Sequence, residues 1–368
     1  MTAAGMKTRE DAIGNVIGRY DAANGAEDAP AIMLGSHLDT VINAGRYDGM
    51  LGVLCALAVV ESLNENNIRL PYAVEVIGFA DEEGVRYQST YLGSRAITGH
   101  FDSAVLSRRD DTGVVFSDAL QQFGSNIDDL PKAIRKPGDI HAYLELHIEQ
   151  GPVLEKEQQA VGVVSSIAGA NRMTVNLTGL AGHAGTVPMN LRQDALVAAA
   201  ECISLVEALC SDQDALVGTV GRIDAKPGAG NVIAGDVEFS IDIRAAQDNV
   251  RQDRVARVVE GMQSLCKQRN IEINIEHVHE AESVDCDAGI MHSMQTALES
   301  AKLTPLTLPS GAGHDAAAMA EMTKMGMLFV RCAGGISHHP DESVTEPDAI
   351  VGAQILLSTV LNLCQAPD

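Results

Sequence analysis

The sequence predicts an α/β protein built on an open, mostly parallel central sheet, with a second, ferredoxin-like α+β domain inserted into it. Two observations carry that prediction. Apolar runs of strand length alternate with helix-length runs through the first part of the chain, the pattern of a parallel sheet with helices on both faces. From about Asn171 the order becomes strand, helix, strand, strand, helix, strand with alternating hydrophobicity, as in a split βαβ unit. The length of 368 residues agrees, because a single core rarely grows beyond about 250 to 300 residues. The expected boundaries are 1–170 with 282–368 for the first domain and 171–281 for the inserted one.

In chain order, NVIGRY reads as a strand, AIMLGSHLDT (31–40) as a buried strand running into a loop, and GMLGVLCALAVVESLNEN (49–66) as a helix apolar on all sides. YAVEVIGFA (72–80), HAYLELHIEQ (141–150) and VGVVSSIAG (161–169) are further strands. In the inserted segment RMTVNLTG is a half-exposed strand, 191–209 a helix, VGTVGRI a strand, NVIAGDVEFSIDIRA one long alternating run, 248–268 a helix and IEINIEHVH a strand. MGMLFVRC (325–332) returns to a buried strand, and AIVGAQILLSTVLNLC (349–364) closes the chain as a helix. In a sheet of this kind ligands bind beyond the carboxyl ends of the strands.

Composition narrows the function classes. With 26 basic against 50 acidic residues the formal charge is −24, which argues against nucleic acid or an anionic membrane surface as partner. The seven cysteines are odd in number and widely spread, so no disulfide framework is expected. No apolar run reaches the roughly 18 residues a membrane span needs, and no secretory leader opens the chain, so a cytoplasmic protein is expected.

The polar residues at the strand ends carry the chemistry. GFADEEG ends an apolar strand in three consecutive carboxylates, and two unit charges about 4 Å apart repel by roughly 4 kcal/mol at an effective dielectric of about 20. Cations nearby would offset this. GSHLDTV supplies His37 and Asp39, GRYDGMLG supplies Asp48, LELHIEQG supplies His147, and GISHHPDE supplies His338 and His339. Histidines mixed with carboxylates form a nitrogen and oxygen donor set suited to paired divalent cations such as zinc or manganese, with cobalt or nickel also compatible. Asp48 is the natural bridging carboxylate and Asp39 the natural partner fixing the His37 tautomer. Of Glu82 and Glu83, one can ligate while the other serves as general base. Each motif alone has a bland reading: an H-x-D histidine is more often structural, and a DEE run is usually a solvated turn. Their joint placement at the ends of one sheet's strands favours a metal site.

Taken together, GSHLDTV, GRYDGMLGVL, FADEEGVRYQSTYLGSRA, ELHIEQGPVLE, GLAGHAGTVPMNLRQDAL, NVIAGDVEFSIDIRA, SGAGHDA and GISHHPDE closely resemble the amidase and carbamoylase branch of the zinc-dependent aminoacylase and carboxypeptidase superfamily. That branch contains allantoate amidohydrolase, N-carbamoyl-L-amino-acid amidohydrolase and β-ureidopropionase. The resemblance implies two divalent metal ions held by His37, Asp48, Glu83, His147 and His338, with Glu82 as general base. It implies that the inserted domain acts as a lid and forms a homodimer, and that His183 reaches the partner subunit's active site to stabilise an oxyanion. Asn231 and Arg244, read as lying on two arms of one hairpin, resemble the pair that holds the substrate carboxylate, with Gln150 and His314 as further substrate contacts. In peptidase relatives a carboxylate stands where this chain has His147, which points to the carbamoylase branch.

The chain departs from the branch at Ala234, where relatives carry proline, and relatives carry a further helical segment ahead of the position of Met1, so apolar surface is expected to be exposed there. The implied activity is hydrolysis of a ureido C–N bond in a small carboxylate-bearing substrate. Allantoate is the first expectation, and an N-carbamoyl-L-amino acid or β-ureidopropionate is the alternative. A dipeptidase or aminoacylase is disfavoured by His147, a dinucleotide oxidoreductase by the lack of a G-x-G-x-x-G turn after the first strand, and a non-catalytic binding protein by the filling of every ligand and base position.

Overall fold

The computed structural model describes residues 1–23 and 25–365, in two compact units, Met1–Ser165 with Asp285–Asp368 and Ser166–Val284. In chain order the first unit contributes β1 (Lys7–Glu10), β2 (Val16–Tyr20), β3 (Ala31–His37), α1 (Met50–Glu65), β4 (Ala73–Phe79), α2 (Leu92–Thr98), α3 (Phe116–Phe123), β5 (Ile140–Ile148), the one-turn α4 (Val153–Lys156) and β6 (Val161–Ile167). The second unit follows with β7 (Gly169–Thr178), β8 (Gly182–His183), α5 (Ala195–Cys210), β9 (Leu216–Thr219), β10 (Ile223–Lys226), β11 (Val232–Ile233), β12 (Asp236–Ala245), α6 (Asp248–Arg269) and β13 (Glu272–Ala281). After β14 (Val284–Asp285) the chain completes the first unit with α7 (Ala288–Ser300), β15 (Thr307–Ser310), α8 (Asp315–Met319), β16 (Met325–Val330) and α9 (Glu346–Leu363).

The first unit's sheet runs β1-β2-β4-β3-β5-β16-β6-β14, with β15 beside β6. Its centre, β4-β3-β5-β16, is parallel, and antiparallel pairs flank it on both sides. Every residue of β3, β4 and β16 is buried, as expected of parallel strands covered on both faces. Alternate residues divide the two faces. Ile32 and Leu34 of β3 and Leu144 and Leu146 of β5 pack with α1, α7 and α9 in one apolar core. Tyr143, Glu145 and His147 point to the other face, where α2 and α8 lie. Helix α1 approaches β5 closely because residue 52 is glycine: a Cβ there would sit 2.1 Å from the Leu146 carbonyl oxygen. No helix among the described residues is long and apolar enough to cross a membrane.

The second unit's sheet runs β10-β12-β7-β13, with β9 also beside β12, all antiparallel, and α5 and α6 pack on one face. This is the strand order of a ferredoxin-like unit. The long run NVIAGDVEFSIDIRA is not one strand. It breaks at Ala234–Gly235 into β11, which pairs with β8, and β12, which pairs with β7, β9 and β10. Asn231 and Arg244 therefore do not lie on two arms of one hairpin, a correction to the sequence reading. Alternation of hydrophobic residues reports the faces of a strand but not its partners, and β11 and β12 alternate alike.

Candidate active site

The carboxyl ends of the four parallel strands converge on one cluster of side chains. β3 ends in His37, β4 runs into Asp81, Glu82 and Glu83, β5 carries His147 and runs into Gln150, and β16 leads to a loop with Ser337, His338 and Glu342. The segment between β3 and α1 supplies Asp48 one residue before Gly49, the residue at the start of α1. Asp81, Gln150 and His338 all hold left-handed backbone conformations, with φ of 50°, 57° and 55°. Such conformations cost free energy and concentrate at functional loops.

Asp48 is the centre of the cluster and is buried. Its Oδ1 lies 3.1 Å from His147 Nε2 and 3.4 Å from His37 Nε2, while its Oδ2 lies 3.2 Å from His338 Nε2. The two oxygens thus face different histidines, the arrangement of a bridging carboxylate. Glu83 Oε1 stands on the Oδ2 side, 3.6 Å from His338 Nε2. Burial works to raise the Asp48 pKa, but the adjoining imidazoles of His147, His338 and His37 hold it far below the usual carboxylate range.

The donor set fits divalent metal. His37 Nδ1 and His147 Nδ1 each sit 2.9 Å from a backbone carbonyl, of Asp39 and Ile148, which makes both Nδ1 atoms N–H donors and leaves the Nε2 lone pairs facing inward. Those two Nε2 atoms are 3.5 Å apart, and Glu83 Oε1 is buried without a hydrogen-bond partner among the described residues. Lone pairs converging in a buried site are repulsive unless a cation sits among them. His37, Asp48 and His147 form one such donor group, and Asp48, Glu83 and His338 form another.

Glu82 is buried beside these donor groups. Burial pushes its pKa well above the usual carboxylate value; the nearby His37 opposes this, and Asp315, Glu83 and Glu145 reinforce it. A buried carboxylate held beside a converging donor set stands where a general base would act. Asp39 acts differently from the sequence reading. Its backbone carbonyl, not its carboxylate, fixes the His37 tautomer, since the carboxylate stands 3.8 Å from Nδ1. The carboxylate instead accepts from the backbone N–H groups of Glu82 at 2.9 Å and Glu83 at 3.1 Å, and so holds both residues in place.

Gln150 donates to Asp48 Oδ2 at 2.8 Å and lies 3.4 Å from His338 Nε2. His314 is buried with its ring edge-on to His147 and its Nε2 2.7 Å from Ser310 Oγ; burial, aided by His147 and His37, holds its pKa well below the ordinary imidazole value. His339 is exposed and faces Asp341 rather than the cluster. His183, Asn231 and Arg244 belong to the second unit. His183 is exposed on β8, its Nδ1 accepting from Gly185 N–H at 3.0 Å, and the Asn231 carbonyl accepts from Ala184 N–H at 3.0 Å, so these two share one short ribbon. Arg244 lies apart from them on β12.

Sequence reasoning missed three buried carboxylates, Glu342, Glu145 and Asp315. Glu342 accepts from the backbone N–H groups of Tyr47 and Asp48 through Oε1 and from Ser337 Oγ through Oε2, and Ser337 lies 3.1 Å from Asp48 Oδ2. Glu145, on the same face of β5 as His147, accepts from Ser36 Oγ, Tyr143 OH and Ala316 N–H. Asp315 is fully buried, and neither carboxylate oxygen has a hydrogen-bond partner among the described residues. The two-residue spacing in LELH was a usable signal for Glu145. None existed for the pairing of Glu342 with a loop nearly three hundred positions away.

Comparison with known proteins decides the family: the description Peptidase family M20/M25/M40 matches residues 33–362. The chain belongs to this family. Among curated members it is 41% identical over 365 residues to N-carbamoyl-L-amino-acid amidohydrolase of Pseudomonas sp. (strain NS671), covering 98% of this chain and 88% of that one. It is 42% identical over 395 residues to allantoate deiminase 1 of Glycine max, covering 99% and 81%. Among solved members it superposes on an amidase of the hydantoinase/carbamoylase family from Burkholderia multivorans with TM-score 0.93 and 33% identity, covering 100% of this chain and 88% of that one. Family membership makes this chain a metal-dependent amidohydrolase, in keeping with the donor clusters at its strand ends.

Proposed function

We propose that the protein hydrolyses a ureido C–N bond in a small carboxylate-bearing compound, with allantoate as the first substrate and N-carbamoyl-L-amino acids as the second reading. The observation that carries the reading is the buried Glu82, held by Asp39 beside the converging histidines and carboxylates. Relatives of about equal identity named for N-carbamoyl amino acids and for allantoate support the two substrates alike.

In this reading His37, Asp48, Glu83, His147 and His338 hold two divalent cations, whose Lewis acidity would polarise the ureido carbonyl and acidify water. Glu82 takes a proton from the attacking water and returns it to the leaving nitrogen. Gln150 and His314 lie beside the ligands and orient the substrate, Arg244 and Asn231 hold its carboxylate, and His183, supplied by a partner subunit, stabilises the developing oxyanion. With allantoate, water is consumed and ureidoglycine, ammonia and carbon dioxide are released. Homodimerisation through the second unit is supported by exposed apolar side chains there, Leu180, Met189, Leu191, Leu196 and Val197, which a second copy would cover. A cytoplasmic location is supported by seven cysteines that are all free thiols.

The test is ammonia release by the manganese-loaded protein and its Glu82→Gln variant from allantoate, N-carbamoyl-L-amino acids and N-carbamoyl-β-alanine. The wild type should release ammonia from at least one of these, fastest from allantoate, and the variant should bind the metal yet lose at least about a thousandfold in kcat. A preference for a carbamoyl amino acid selects the second reading. Activity surviving in Glu82→Gln removes Glu82 as the base, and no release from any compound overturns the proposal.

A further inference from the structure

Glu342 reaches Asp48 by two routes, and the second is one proton short. The first is backbone: Glu342 Oε1 accepts from Tyr47 N–H at 2.9 Å and from Asp48 N–H at 3.1 Å. Glu342 is buried, and a Cβ at residue 45 would sit 2.2 Å from the same oxygen, a space that Gly45 leaves to the carboxylate. Glu342 stands in the loop that carries His338, where its own N–H donates to the His339 carbonyl at 3.0 Å. One buried side chain thus ties the segment that delivers Asp48 to the loop that delivers His338.

The second route runs through Ser337. Its Oγ lies 3.1 Å from Glu342 Oε2 and 3.1 Å from Asp48 Oδ2. An ionised carboxylate only accepts, and a serine hydroxyl has a single proton to give, so Ser337 satisfies one of the two acids at a time. Gln150 narrows the choice. Its Nε2 donates to Asp48 Oδ2 at 2.8 Å and lies 3.2 Å from Ser337 Oγ, which can accept its other proton. An ionised carboxylate offers about four lone-pair sites over its two oxygens, so Oδ2 has about two, and Gln150 takes one. A cation among Asp48, Glu83 and His338 needs the other. A proton from Ser337 on that lone pair would compete with it.

We infer that Glu342 is a positioning residue for the Asp48, Glu83 and His338 donor group: it draws the Ser337 proton to itself and leaves a lone pair of Asp48 Oδ2 to a cation. This rests on the reading of two cation positions around Asp48. His37 and His147 face Oδ1, whereas Ser337 lies against Oδ2, so the effect is confined to one of the two positions. Glutamine at position 342 separates the proton from the backbone contacts. Its amide oxygen can still accept from Tyr47 and Asp48, while its amide nitrogen donates to Ser337 Oγ and turns the hydroxyl proton onto Asp48 Oδ2.

The experiment is isothermal titration of manganese into the metal-free protein, as wild type, Glu342→Gln, Ser337→Ala and the double variant. The wild type should bind two ions per chain. Glu342→Gln should weaken one of them about tenfold or more and leave the other within about threefold. Ser337→Ala, which has no proton to misplace, should keep both within about threefold, and in the double variant should restore most of the affinity lost in Glu342→Gln. Wild-type affinities in Glu342→Gln, or both ions weakened alike, overturn the inference. So does a double variant as weak as Glu342→Gln, which would assign the loss to the charge of Glu342 rather than to the Ser337 proton. A loss of about tenfold in Ser337→Ala alone overturns it as well, whether or not the Glu342 variant folds. A wild type that binds a single ion overturns the two-position reading instead.

Discussion

Asp81 and Glu82 are adjacent, and burial raises the pKa of both, yet they bear on different properties. Glu82 lies among the converging histidines and carboxylates, where the proposed reaction uses it as the base. Asp81 lines an apolar recess with Leu38, Tyr87 and Phe116, and its pKa is pushed up to about 6 by burial and by the charge of Asp39. The folded state therefore binds the Asp81 proton more tightly than the unfolded chain does. The stability this contributes is present below the ordinary carboxylate pKa of about 4 and is lost as pH rises through about 6. Asparagine removes the charge and tolerates the left-handed backbone at this position. Asp81→Asn should thus gain on the wild type by roughly 1 kcal/mol between pH 5 and pH 8, read by urea unfolding of the metal-free protein. A difference that does not grow with pH would mean that the charged form of Asp81 is already compensated.

At the scale of elements, the site depends on how α1 meets β3 and β5. Gly49, at the helix start, has φ of +67°, and a Cβ built on it would lie 2.4 Å from the His37 ring. Only glycine allows the helix to begin directly behind the His37 ring while delivering Asp48 to the centre of the cluster. Gly49→Ala should weaken manganese binding at least tenfold and lower kcat/KM about a hundredfold, since His37 must turn away. Circular dichroism should show the helical content retained, and isothermal titration gives the affinity. Wild-type metal affinity in this variant would show that the His37 ring has room to shift. Elements of long period or continuous hydrophobicity, such as α1, β3, β4 and α9, were legible because each is set by local pattern. β11 and β12 were fused in the sequence reading because nothing local marks the change of partner strand.

For the whole molecule, the first unit concentrates Asp48, Glu82, Glu83, Glu145 and Asp315 near one point in a chain of formal charge −24. Like charges gathered in low dielectric oppose folding, and a cation that binds only the folded state offsets that cost. Chelation should therefore lower the thermal midpoint by several degrees, with manganese restoring it in a concentration-dependent way, as scanning calorimetry would record. A midpoint indifferent to the chelator would mean that protons alone balance these carboxylates.

The sequence by itself determined the class of fold and the change of pattern near Asn171, and it singled out His37, Asp48, Glu82, Glu83, His147 and His338 as candidates for one site. These lie at the ends of runs whose hydrophobic period is local, and their chemistry is a property of residue type. Only the tertiary structure decided that Asp48 turns its two oxygens to different histidines, that Asp39 supports Glu82 and Glu83 through its carboxylate, that Glu342 holds Asp48, and that Asp242 meets Arg172 across the strand pair. Each of these depends on strand register or on loops far apart in the chain meeting at one sheet edge. Such contacts are long-range hydrogen bonds and ion pairs, and local periodicity carries no record of them.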